Sequence, residues 1–383
     1  KPENLAVGQI SMDRLFRTVA LEPATEPYKL SKNNKIYDLN SLQFPDPLRR
    51  DKTLTADQFL NRRLFNDALL IMHKGTVIHE TYRNGMEPED RHVIHSCTKS
   101  LCAMVVSMAI DEGLMGRSQE ISHYIPEFQN RPEWKSVTLQ HVLDMQAGIE
   151  YSEDYTDPNA HYWKYARAAG YYPPLVGEEA IGAKAWIIKN LNIRQNQPGS
   201  IFSYNSCLAN VLGMALENVY KLNLGEILEE KLYSRVGAES EGHLNTDPQG
   251  FPIIEGQFNL RLRDFARCAY PIINDGKSLS GEQLINPDFI NQITTPNQQA
   301  KKAYQSDTKD SVFPNGQYHD QFWVVEPEKK QFTMLGIHGQ FAWFDHNKDL
   351  MVVGLGSYPS QDGDLMMSCL KLLWDKIASS VSK

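Results

Sequence analysis

Hydrophobic and polar positions change their spacing repeatedly along the chain. Residues 1 to about 60 are polar and interrupted by Pro2, Pro23, Pro27, Pro45 and Pro47. This predicts an extended arm laid over a larger body, with one short helix at Ser11–Val19. From Asp67 the pattern becomes apolar: Ala68–His73, the turn Lys74–Gly75 and then Thr76–Tyr82 predict a β-hairpin. Between 97 and 112, Leu101, Met104, Val105, Met108 and Ala109 recur at helical spacing, and Gly113 supplies a stop. Met104 and Met108 are therefore core residues. Thr138 is expected to cap a helix over Leu139–Met145, and Leu208–Val219 reads as a further amphipathic helix.

Tyr151, Tyr155, Tyr162, Trp163, Tyr165, Tyr171 and Tyr172 crowd residues 151–177, which read as a long aromatic loop, either an active-site lid or a packed surface. Asp154 and Asp157 are expected to fix it through side-chain turns. Strands return late. Phe332–Ile337, Phe341–Asp345 and Leu350–Gly356 are expected to lie side by side and antiparallel, the last two joined by a turn at 346–349, and Leu365–Ala378 to close the chain as a helix. Strands at both ends with helices between predict an α+β fold, an α/β sandwich with an antiparallel central sheet flanked by helices. The expected division is an arm over 1–64, a sheet-and-helix body from 65–114 and 246–383, and a mostly helical insertion over 115–245. The site falls at the seam.

Composition narrows the function. A chain of 383 residues allows two to three packing units, and 41% hydrophobic with 22% charged residues is ordinary globular usage. The net charge of −8, without a basic run, offers nothing to phosphates, so no nucleic acid partner is expected. Cys97, Cys102, Cys207, Cys268 and Cys369 are too scattered for a disulfide framework, and no CxxC or zinc-ligand spacing accompanies them. No metal or other cofactor is expected. No stretch approaches 18 apolar residues, so no transmembrane segment is expected. The sequence starts at Lys1 rather than Met; the compartment stays open, with a processed, exported bacterial protein (periplasmic or secreted) as the expectation.

The chemistry gathers at Ser96-Cys97-Thr98-Lys99, an S-x-x-K match. Serine and lysine three apart on a helix share a face, and the helix N-terminus favours both a neutral lysine and a developing oxyanion. A neutral lysine can take the serine proton and create a nucleophile. The expression also matches at Ser306–Lys309, Ser368–Lys371 and Ser380–Lys383, so spacing alone proves little. Only Ser96 follows a β-like run, His92–His95, and opens an apolar-periodic helix. The plain alternative is an N-cap serine with a solvated lysine one turn on.

Residues Arg91–Leu101 resemble the nucleophile helix of the serine β-lactamase and penicillin-binding-protein superfamily. Val137–Ile149 resembles its following helix and turn, Pro198–Ser206 its second box, and Leu260–Arg267 a further segment. Gly336–Gln340 resembles the third box, and Tyr151–Pro158 is similar to the class C-like branch that contains 6-aminohexanoate-dimer hydrolases and related esterases. The likeness runs in order from about residue 65 to 380 and leaves the first 60 residues uncovered. It implies a β-lactamase/transpeptidase-like fold, Ser96 as nucleophile, Lys99 as its base and Tyr204 as proton relay. It also implies an oxyanion hole from the N–H groups of Ser96 and Ile337. Ser206, Gly336, His338, Tyr155 and Tyr162 are candidates for the substrate pocket, with His95 a structural support beside the nucleophile.

One departure matters more than the matches. Where penicillin-binding members carry Lys-Thr-Gly, this chain reads Met334-Leu335-Gly336, so the cation and hydroxyl that would hold a carboxylate are gone. The expected activity is hydrolysis of a small-molecule ester or linear amide through a Ser96 acyl-enzyme. The alternatives are a β-lactamase or D-alanyl-D-alanine carboxypeptidase, and a non-catalytic binding member, which the intact serine, lysine and tyrosine count against. An α/β-hydrolase lacks its G-x-S-x-G here, and a metal hydrolase its H-x-x-E-H or H-x-H cluster. The physiological substrate and the oligomeric state are not encoded in these motifs.

Overall fold

The computed structural model describes residues 4–33, 37–49, 51–306 and 313–381. Lys309 and Lys383, which complete two of the competing S-x-x-K matches, lie outside them. The strands in chain order are β1 (Thr18–Leu21), β2 (Gln43–Pro45), β3 (Thr53–Thr55), β4 (Asn66–His73), β5 (Thr76–Tyr82), β6 (His92–Val93), β7 (Gly242–Asn245) and β8 (Phe258–Leu260). The C-terminal part adds β9 (Gln317–His319), β10 (Phe322–Glu326), β11 (Gln331–Gly336), β12 (Gln340–Asp345) and β13 (Leu350–Gly356). A seven-stranded antiparallel sheet runs β5-β4-β13-β12-β11-β10-β9, joining an early hairpin to the end of the chain.

Local chemistry explains these elements. Lys74 and Gly75 both take positive φ, the conformation of a two-residue hairpin turn, and His73 pairs with Thr76 across it. Strand β13 is buried along its whole length, as its run of Leu, Met and Val requires of a central strand covered on both faces. On one face Trp374 of the C-terminal helix Asp364–Ser380 stacks on Trp343 at 5.9 Å and meets the Phe341 ring edge-on at 5.5 Å. Gly354 pairs with Phe341, and a Cβ there would stand 2.3 Å from that ring, so the strand needs glycine. Helices Cys97–Asp111 and Leu262–Ile273 also pack on the central strands. Met104 and Met108 are core, and all five cysteines are free and buried. Among the described residues no helix is long and apolar enough to cross a membrane.

A second antiparallel sheet runs β1-β7-β8-β6, and here the arm departs from expectation. Ser11–Val19 is not one helix. A four-residue turn of helix, Met12–Leu15, gives way to β1, whose Thr18 and Leu21 pair with Asn245 and Gly242. The partner strand lies more than 200 residues away, so β-branched Thr18 and Val19 are drawn into a sheet that local periodicity does not reveal. The aromatic stretch 151–177 likewise contains a helix, His161–Ala168. Asp154 and Asp157 do form the expected turns, accepting from Thr156 N (3.0 Å) and Asn159 N (2.9 Å). Thr138 caps Leu139–Leu143 by accepting from His141 N at 3.3 Å, and His141 Nδ1 accepts in return from Thr138 N at 3.2 Å.

A buried charge cluster ties this capped helix to the edge of the large sheet. His319 Nδ1 lies 2.9 Å from Asp144 Oδ1, and its Nε2 lies 3.7 Å from Asp320 Oδ2. Arg117 neutralises the far side of Asp320 at 2.7 Å. Burial works against a charged His319, but Asp144 and Asp320 outweigh it and push its pKa up to about 9. A group raised in the folded state stabilises fully below its unfolded pKa, near 6.5, and loses that contribution as pH rises through about 9. The difference is worth on the order of 3 kcal/mol. Thermal melts of the wild type should therefore fall between pH 7 and 10, with a smaller fall for His319→Gln. Parallel pH profiles for the two proteins would show that His319 is not the group responsible.

Candidate active site

Strand β6 leads into Ser96. His92 pairs with Leu260 and Val93 with Asn259, and Ile94 N donates to Phe258 O at 2.8 Å. The chain then turns through His95, which has φ +43 and is held by Gln9 Oε1 at 2.8 Å from its Nε2. Histidine is among the few side chains enriched in the left-handed region, and the contact to the N-terminal helix Leu5–Ile10 fixes it there. Gln9 thus gives the otherwise unassigned arm a place beneath the site. Ser96 follows as the residue just before helix Cys97–Asp111.

Its side chain does not cap that helix. Ser96 Oγ instead lies 2.7 Å from Lys99 Nζ and 3.5 Å from the Glu255 carbonyl oxygen. Lys99 is 1% exposed, so the reading of an N-cap serine beside a solvated lysine does not describe this pair. The Lys99 ammonium also donates to the Glu255 carbonyl and stands 5.2 Å from the centroid of the Tyr204 ring. Burial lowers the Lys99 pKa, opposed chiefly by the nearby Glu153 and Glu255 carboxylates.

Tyr204 approaches from the segment ahead of helix Cys207–Tyr220. Its ring stacks on Trp323 at 5.5 Å and meets Tyr318 edge-on at 6.2 Å. Ser96, Tyr204, Tyr155, Gly336 and Ile337 all line one pocket of about 520 Å³, walled in part by Trp323 and Leu335. A hollow of about 690 Å³ elsewhere, bordered by His141 and Asn297, contains no serine–lysine pair, so size does not mark the chemistry. Tyr162 and Ser206 border a smaller recess that also touches Ser96.

Two residues of the sequence reading sit differently from expectation. His338 does not line either space: its Nδ1 is bound to Tyr358 O at 2.7 Å, and its ring packs 5.6 Å from that of His95. It therefore supports the nucleophile turn from behind. Met334 is fully buried, and Leu335, the next residue on the alternating strand, is the side chain that reaches the pocket.

Two carboxylates escaped the sequence reading. Glu153 accepts from Ser206 Oγ (2.6 Å), Ser206 N (2.9 Å) and Tyr155 OH (2.7 Å). Glu255 is buried, takes hydrogen bonds from Tyr171 OH and from Asn210 Nδ2 (2.8 Å), and has its pKa raised by that burial. Glu153 lies within the Tyr151–Pro158 segment, which is the signal that pointed toward it. Nothing local marks Glu255, because its contribution to the lysine is a backbone carbonyl.

Comparison with known proteins places the chain in a family. The chain is 31% identical over 318 residues to the 6-aminohexanoate-dimer hydrolase of Paenarthrobacter ureafaciens, covering 82% of this chain and 79% of the relative. A Bacillus anthracis structure provisionally named as a 6-aminohexanoate-dimer hydrolase superposes with a TM-score of 0.85 at 20% identity, over 98% of this chain and 93% of that one. A family VIII carboxylesterase superposes with a TM-score of 0.63 at 16% identity, over 85% and 95%. These superpositions, with the Beta-lactamase family match over residues 53–364, give the β-lactamase/transpeptidase fold. The Beta-lactamase family model matches residues 53–364, which contain the Ser96–Lys99 pair and Tyr204, and the chain therefore belongs to the Beta-lactamase family, as a serine hydrolase.

Proposed function

We propose that the protein hydrolyses an ester or a linear amide through an acyl-enzyme on Ser96. The observation that carries this is the 2.7 Å contact between Ser96 Oγ and a lysine taken out of solvent. Neutral Lys99 removes the serine proton as Oγ attacks the carbonyl carbon. Tyr204 relays that proton to the departing alcohol or amine, and the N–H groups of Ser96 and Ile337 hold the oxyanion.

The pocket's chemistry supports a substrate without a carboxylate at the strand edge. Leu335 faces it where a hydroxyl would be needed, and its acidic lining residues are Glu153, Asp362 and Asp364, with no lysine or arginine among the lining residues described. A substrate carboxylate held at that strand edge would meet repulsion and no cationic partner among the described lining residues. The relatives' names, a 6-aminohexanoate-dimer hydrolase and a carboxylesterase, fit the amide and ester alternatives respectively.

Ser96→Ala should lower p-nitrophenyl ester hydrolysis by at least ~10³-fold and abolish labelling by a fluorophosphonate probe, whose adduct in the wild type should map to Ser96 by mass spectrometry. Full retention of activity would sink the assignment, and rapid nitrocefin turnover would redirect it to β-lactam hydrolysis. Because the charged form of Lys99 is disfavoured, the wild-type labelling rate should rise with pH to a midpoint below the ordinary lysine value of 10.5. Lys99→Arg, which cannot deprotonate, should label negligibly across the same range.

Gly336 offers an independent check. A Cβ at this position would lie 2.8 Å from Ile94 O and 3.1 Å from His95 Cβ, forcing the strand away from the nucleophile turn. Gly336→Ala should therefore displace the neighbouring Ile337 N–H and reduce kcat by about 10²-fold. An unchanged kcat in a folded variant would remove Ile337 from the oxyanion hole.

A further inference from the structure

The recess beside Ser96 has a volume of about 20 Å³ and is bordered by Ser96, Glu153, Tyr155, Ser206, Glu255 and Ile337, among others. One water requires roughly 10–15 Å³ together with two to four polar partners. The recess is therefore the size of a single water and has the polar lining that a water needs. It shares Ser96, Glu153, Tyr155 and Ile337 with the substrate pocket, so the two spaces meet at the nucleophile.

Glu153 is built to act on such a water. An ionised carboxylate offers about four acceptor sites, and Ser206 Oγ, Ser206 N and Tyr155 OH occupy three of them. Two donors fall on Oε1 and one on Oε2, which leaves an acceptor position on Oε2. The carboxylate is thus fixed in place with an acceptor position left for a water in the recess. Glu255, by contrast, directs its carboxyl to Tyr171 and Asn210.

Resting on the acyl-enzyme reading above, we propose that this recess seats the deacylating water and that Glu153 is the base that activates it. The water oxygen forms a bond to the acyl carbon while one of its protons passes to Glu153. The carbonyl electron pair moves onto the oxygen held by the Ser96 and Ile337 N–H groups. Collapse breaks the bond between the acyl carbon and Ser96 Oγ, which takes back the proton from Glu153. Serine, the carboxylate and neutral Lys99 are restored, and a carboxylic acid leaves. The leaving group of acylation can thus still occupy the larger pocket while water attacks from the smaller one.

The test is stopped-flow hydrolysis of p-nitrophenyl butyrate by Glu153→Gln. The variant should keep a burst of about one p-nitrophenolate per enzyme, with the following steady state slowed by ~10²-fold or more. Intact mass should show the butyryl adduct accumulating on Ser96. Hydroxylamine, a nucleophile that needs less help from a base, should restore turnover more in the variant than in the wild type. A burst followed by wild-type deacylation overturns the role of Glu153, as does equal slowing of burst and steady state. Absence of both the burst and fluorophosphonate labelling in folded wild type would instead remove the acyl-enzyme reading itself. Should Glu153→Gln fail to fold, Ser206→Ala takes its place: it frees the carboxylate from its shortest contact and should slow deacylation about tenfold with the burst intact, and an unchanged deacylation rate overturns the proposal.

Discussion

Removing a lysine ammonium from water costs several kcal/mol unless other groups replace its hydration, and the site is organised around that cost at Lys99. Two replacements are on hand, the hydroxyl of Ser96 and the main-chain carbonyl of Glu255. Neither is a full counter-charge. The carboxylates of Glu153 and Glu255 oppose the effect of burial from nearby without abolishing it. The result is a lysine whose neutral form is favoured by burial and whose amine touches the hydroxyl that the proposed acylation deprotonates. A direct carboxylate partner would have held the proton on nitrogen and removed the base.

Several distant parts of the chain are needed to keep that lysine dry. Helix Cys97–Asp111 carries it, the loop at Glu255 supplies the carbonyl, and Tyr204 covers it with the face of a ring. The turn that presents Ser96 depends on His95 at φ +43, held from the N-terminal arm by Gln9 and backed by the ring of His338. Farther out, Ser100 donates to Gln321 O at 2.6 Å, and Gln321 N donates to Leu143 O at 3.0 Å, binding the nucleophile helix to the His319 cluster. Geometry at Ser96 is therefore over-determined, which is what keeps the left-handed His95 in place beside it.

The parts legible in the sequence were those specified locally. The β4–β5 hairpin announces itself through Lys74–Gly75, the nucleophile helix through its apolar spacing and Gly113, and the Leu139–Leu143 helix through Thr138. The order of Ser96, Lys99 and Tyr204 is legible through resemblance, and the structure places the three around one buried ammonium. What escaped was specified at long range. Strand β1 forms because β7 is there to pair with it. The Glu255 carbonyl has no side-chain signature, and His338 looked like a pocket residue until the Tyr358 carbonyl claimed its ring. Helix His161–Ala168 was hidden among aromatic residues that read equally well as loop.

The substitution of apolar residues at Met334 and Leu335 alters more than one contact. Met334 is buried outside the pocket lining, where a lysine would set an unpaired charge in the core. The hydrogen bonds that hold Glu153 come from the neutral donors Ser206 and Tyr155. Apolar Met334 and Leu335 thus stand where the carboxylate-binding pair would be, and Glu153, held by the neutral donors Ser206 and Tyr155, stays available for the role proposed for it.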